Sequence, residues 1–182
     1  MKRAIVTPAA LMPAALAELK DWLGITTPGD DAQLGALLRA ALYLCEDFTG
    51  VMPLQQVCEE ILPLSPTWQV LRTRPVQGIT EVIGVPAEGA RFALPVGSYA
   101  IDLDADGAGR VRIAHAGAVG RIAVRFTAGI APDWASLPEA LRHGVLRCAA
   151  FQYRQREGDS APAMPPAAIA ALWRPWRRLR LI

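Results

Sequence analysis

Asp102-x-Asp104-x-Asp106-Gly107 holds the most obvious chemical promise, because three carboxylates at alternate positions before a glycine open a calcium loop of the EF-hand type. The twelfth position of that loop is Ile113, where a bidentate Glu is needed, and no helical pattern flanks it. A polar hairpin turned at Asp106-Gly107 is the reading that remains. His115 and His143 are the only histidines. Neither sits in a His-Glu-x-x-His or Cys/His metal spacing, and both are expected as satisfied surface or interface side chains. Cys45, Cys58 and Cys148 form no C-x-x-C pair. An odd count argues against a disulfide framework, so buried free thiols in a reducing compartment are expected. Nucleophile elbow, Walker loop and G-x-G-x-x-G are absent from the sequence. With no acid-base, nucleophile or metal constellation, no catalytic residue, metal or cofactor is expected, and the chain does not read as an enzyme.

The other distinctive chemistry lies in Trp173-Arg-Pro-Trp-Arg-Arg-Leu-Arg180, with two tryptophans, four arginines and no acidic residue after Asp159. Such a segment can bind nucleic acid through phosphate contacts and base stacking. It can equally dock on a protein, with Trp and Arg as buried anchors. Both readings stay open, with protein binding favoured.

The elements that would position these groups follow from periodicity. The chain has 182 residues and a net charge of only +2, but residues 1 to 60 hold four Lys/Arg against eight Asp/Glu while the rest holds fifteen against nine. An acidic front and a basic back suit self-assembly or a polar partner. Lys2-Arg3 and the alanine-rich stretch to Ala17 loosely imitate a secretion signal, but Pro8 and Pro13 interrupt it. No run approaches the ~20 apolar residues that span a bilayer, so a soluble chain with no membrane partner is expected.

Helices are expected over about 13–24, 31–49 and 137–156. The third is opened by Ser136-Leu-Pro-Glu139 as a capping box and is apolar around most of its circumference. Between them, candidate strands at 56–62, 69–71, 79–85, 99–103, 111–113 and 121–126 form an antiparallel meander. The fold class expected is α+β: a helical bundle of two N-terminal helices plus a long C-terminal helix, a β-insert over 51–127, and an extended C-terminal tail. Residues 1–160 make one domain and 161–182 an arm.

The sequence resembles the head-tail connector (adaptor) proteins of long-tailed phages and of gene transfer agents. The likeness is carried by Val124-Arg-Phe-Thr-Ala-Gly129 followed by Leu137-Pro-Glu-Ala-Leu141 and Phe151-Gln-Tyr-Arg154. At the front it is carried by Pro13 to Leu23, Asp30 to Leu38 and Glu46-Asp-Phe-Thr-Gly50. In the β-insert it is carried by Arg74 to Val82 and Val96-Gly-Ser-Tyr99. The resemblance covers nearly the whole chain, and the tail Leu172-Trp-Arg-Pro-Trp176 is its loosest part. It implies a structural role in a virion or phage-like particle assembled in the host cytoplasm. The subunits would form a ring, a dodecamer, beneath the portal protein, contact the stopper or next tail connector, and continue the channel through which DNA passes non-specifically. On that footing Trp173, Arg174, Trp176, Arg177, Arg178 and Arg180 are expected to bind the portal. Ala140, Gly144, Arg147, Phe151 and Arg154 are expected at the ring interface, the small residues Ala140 and Gly144 permitting close helix approach within the subunit or to its neighbour. The competing reading is a DNA-binding accessory module of a packaging system that uses the basic tail.

Overall fold

Turn residues and β-branched alternation in the middle of the chain, and a 3.6-residue apolar period on either side of it, produce two separate compact units in the computed structural model, which describes residues 3–10, 13–115, 117, 119–155 and 165–178. One unit comprises Met1–Pro8 and Gln55–Gly129, the other Ala9–Leu54 and Ile130–Ile182.

In chain order the elements are β1 (Arg3–Thr7), α1 (Pro13–Leu23), α2 (Asp31–Thr49), β2 (Gln56–Pro63), β3 (Gln69–Val70), β4 (Val76–Val85), β5 (Phe92–Ala93), β6 (Tyr99–Leu103), β7 (Gly109–Ile113), β8 (Arg121–Ala128), α3 (Glu139–Arg154) and α4 (Ala167–Trp173). The first unit contains a five-stranded antiparallel sheet in the order β1-β2-β8-β4-β5 and a three-stranded sheet in the order β3-β7-β6. This is not a meander. β8 lies between β2 and β4, pairing Cys58 with Phe126 on one side and Val82 with Val124 on the other. That position buries Ile122, Ala123 and Val124 together, so β8 is covered on both faces rather than half-buried. β1 was not foreseen. Its residues read as part of an interrupted leader, because what makes them a strand is pairing with Cys58, Glu59 and Glu60, far along the chain.

In the second unit α1 buries Ala15 and Leu19, and α2 buries Leu34, Leu38, Ala41, Cys45 and Thr49 along one face. Leu37 and Leu42 flank that face and are only partly buried. α2 ends at Gly50, whose φ of 72° is the left-handed turn that glycine takes at no steric cost.

The expected helical bundle with a long C-terminal helix is overturned. The chain is mixed α+β, with four short helices among the described residues beside the two antiparallel sheets. α3 stops at Arg154, and α4 has only seven residues. Prolines set the limits of α4, with Pro166 at its start and Pro175 in the single 3-10 turn (Arg174–Trp176) that follows. α3 also begins later than its apparent capping box. The Ser136 N–H donates to Asp133 Oδ1 at 2.8 Å, and Pro138 takes the cap position without a side-chain cap. No helix of the described residues is long and apolar enough to cross a membrane.

Candidate assembly surface

α4 is short, but it is not loose. Ile169 and Trp173 are buried in the same core as α1, α2 and α3, with Trp173 fully covered. Trp173 lies over Gly144 of α3, where a β-carbon would come within 2.8 Å of the indole Cδ1 and 2.9 Å of Cε2. Gly144 therefore carries no side chain because an indole occupies the space. The ring meets Phe48 at 6.1 Å between centroids, tilted by 49°, and its Nε1–H points to the Leu141 carbonyl at 3.4 Å. After the 3-10 turn the Arg178 N–H donates to the Thr49 carbonyl at 2.9 Å, and the Arg177 guanidinium stands 5.3 Å over the Phe48 ring. α2 has no basic residue in its own last turn, so these arginines stand where the negative end of its dipole favours a cation.

This arrangement corrects several expectations. Residues 167–178 stay packed on the helical unit, and Trp173 has no free face to offer a portal while it fills the core. At Gly144 the close approach is the one within the subunit, to Trp173. α3, apolar around most of its circumference, is largely covered within this one chain: Leu141, Gly144, Val145, Leu146, Cys148, Ala149 and Ala150 are all buried. The remaining positions are less covered. Arg174, Arg177 and Arg178 are exposed and Trp176 is half-buried, while Arg180 lies outside the described residues. On α3, Arg154 is exposed and Ala140, Arg147 and Phe151 are half-buried.

The acidic and sulfur-bearing groups are engaged elsewhere. Asp104 accepts from Arg110 Nη2, and Asp106 accepts from Arg74 Nη1 at 2.8 Å and from the Ala108 N–H at 3.0 Å, so the aspartates brace a hairpin. Among the described residues no three His, Cys, Asp or Glu side chains converge as a metal site. His143 packs edge-on against Trp22, with centroids 5.3 Å apart, and His115 is exposed. All three cysteines are buried free thiols. Burial, then Cys148, then Glu46 push the Cys45 thiol far above its usual range, and burial alone raises Cys148 to about 11.

Sequence reading missed two glutamates. Neighbours on β2, they face opposite ways. Glu60, 1% exposed, accepts from the Arg72 N–H (3.0 Å), the Thr73 N–H (2.9 Å) and the Thr73 hydroxyl (2.7 Å). Glu59 accepts from Arg91 at 2.8 Å and Arg125 at 3.4 Å, and Arg125 also donates to Glu81 at 2.9 Å across the β2-β8-β4 register. Consecutive acids inside an otherwise apolar strand were the signal available.

No family model and no curated protein matches the chain. Solved structures do. The chain is similar to one from the neck of an empty GTA particle computed with C6 symmetry, at 27% identity and a TM-score of 0.79, covering 100% of this chain and 98% of that one. It is likewise similar to chains in the virion of a native gene transfer agent particle (29% identity, TM-score 0.76) and in the neck of a native GTA particle computed with C12 symmetry (29%, 0.75), each with the same coverage.

Proposed function

We propose that this chain is a structural, non-enzymatic neck subunit of a gene transfer agent or phage-like particle. It assembles as a ring, a dodecamer, beneath the portal, joins the DNA-filled head to the stopper and tail, and continues the DNA channel. The observation that carries this reading is the end-to-end likeness to neck chains at 27 to 29% identity, in particles treated with sixfold and twelvefold symmetry. Portal attachment then rests on the exposed residues Arg174, Arg177 and Arg178 and the half-buried Trp176. Individually weak contacts of this kind suffice when a ring engages many at once.

Deleting the gene in producing cells and imaging the particles is the direct test. DNA-filled heads without tails are expected, and normal tailed particles would remove the role. The mass of the purified protein, alone and with portal rings, reports copy number. The exposed arginines also favour the DNA-binding alternative, which predicts affinity for free duplex that falls steeply with added salt.

A further inference from the structure

We infer that the outward face of α2 on one subunit binds the outward face of α3 on the next, so that the ring closes head to tail with Tyr43 and Asp47 against Arg147, Phe151 and Arg154. The inference rests on the neck-ring reading above. Three observations lead to it.

First, charge is sorted within the helical unit. Residues 9–54 hold two Lys/Arg and six Asp/Glu, whereas residues 130–182 hold eight Arg and four Asp/Glu. Internal pairing removes Asp31, bound by Lys20 at 2.6 Å, and Glu18, which stands 4.0 Å from Arg142. Asp47 on α2, and Arg147 and Arg154 on α3, have no ionic partner among the described residues. Second, spacing places these groups in matching stripes. Arg147 and Arg154 lie seven residues apart and so nearly eclipse one another, with Phe151 between them, while Tyr43 and Asp47 are one turn apart. An aromatic beside a charge on each helix can therefore be matched with the helices running in either direction. Tyr43 is 48% exposed, high for a large ring, and lies on the open side of a helix whose other face is buried. Third, a contact repeated by rotation about one axis must join two different surfaces. The chain supplies two that differ: α3 presents Arg147 and Arg154, and α2 presents Asp47 with Arg39 about two turns before it on the same stripe. The occupant is thus a second copy rather than a phosphate backbone, which Asp47 would repel.

The test uses full-length variants in producing cells. Tyr43→Cys and Phe151→Cys are expressed together or separately, and purified particles are oxidised with diamide. Both positions are partly open, whereas the native thiols are buried, and thermal melting of each variant reports its fold. A disulfide-linked dimer is expected only when both variants are present. Equal cross-linking from either variant alone, or none from the mixture in particles that contain the protein, overturns the face assignment and leaves the neck reading intact. Particles that lack the wild-type chain overturn both. In a second arm, Asp47→Arg should lower the yield of tailed particles about tenfold, and adding Arg147→Asp should restore it. Failure of the double variant to restore yield, or arginine effects confined to DNA retention, counts against the contact.

Discussion

In the sheet unit a buried carboxylate, Glu60, holds the loop at Arg72 and Thr73 by three hydrogen bonds. In the helical unit the corresponding work is done by an indole, Trp173, lying in the space left by Gly144. One unit fixes its irregular segment through directional polar contacts, the other through shape. The difference matters for substitutions. A polar clamp loses its hold when one acceptor is removed, and the donors left behind are stranded away from water. An apolar socket loses transfer energy and gains a cavity.

The largest effect should come from emptying the socket. Trp173→Ala is expected to destabilise the helical unit by about 3 to 5 kcal/mol in chemical denaturation. Hydrogen exchange should rise in α3 and α4 while β2 and β8 stay protected. A uniform rise over both units would show that they unfold as one and would dissolve the contrast. Next, Glu60→Ala should cost roughly 1 to 3 kcal/mol, with faster exchange at the Arg72 and Thr73 amides in particular. The thiols sharpen the comparison through pH. The folded state holds the Cys148 proton up to about 11 against an ordinary 9.0, so its contribution is intact below pH 9 and is lost as pH rises toward 11. The stability gap between wild type and Cys148→Ala should therefore narrow by about 1 to 2 kcal/mol between pH 8 and 11. A constant gap would mean the thiol is not shielded. The smallest effect belongs to the hairpin pair Arg74–Asp106, 2.8 Å apart with half of the Asp106 side chain exposed. Arg74→Ala should change stability by less than about 1 kcal/mol, and less still in high salt.

Much of the architecture could be read from the sequence where the signal is local. α2 runs from Asp31 to Thr49 as its apolar period and Gly50 require, and the longer strands fall where alternation places them. What escaped depends on distant partners. β1 is a strand because β2 lies beside it, and Ser136 looked like a cap until Asp133 took its N–H. The tail was the costliest case. Its tryptophans and arginines describe an anchor equally well whether the anchorage is another protein or this chain's own α3. Only Gly144, about thirty residues earlier, distinguishes the two, and a glycine inside a helix does not announce which ring will cover it. The resemblance gave the outline of a neck component, but it could not say that Trp173 turns inward.

The position of Trp173 also sets a timetable for biosynthesis. Every strand of the sheet unit has been synthesised once Gly129 is made, whereas the helical core lacks the Trp173 indole until translation has advanced about forty residues further. At roughly 5 to 20 residues per second that is a delay of some seconds. During it α1, α2 and α3 emerge with an open hydrophobic socket at Gly144, a natural landing place for a holdase. A ribosome that stalls in this interval releases a chain whose strands are in order and whose helices remain visible to quality-control proteases.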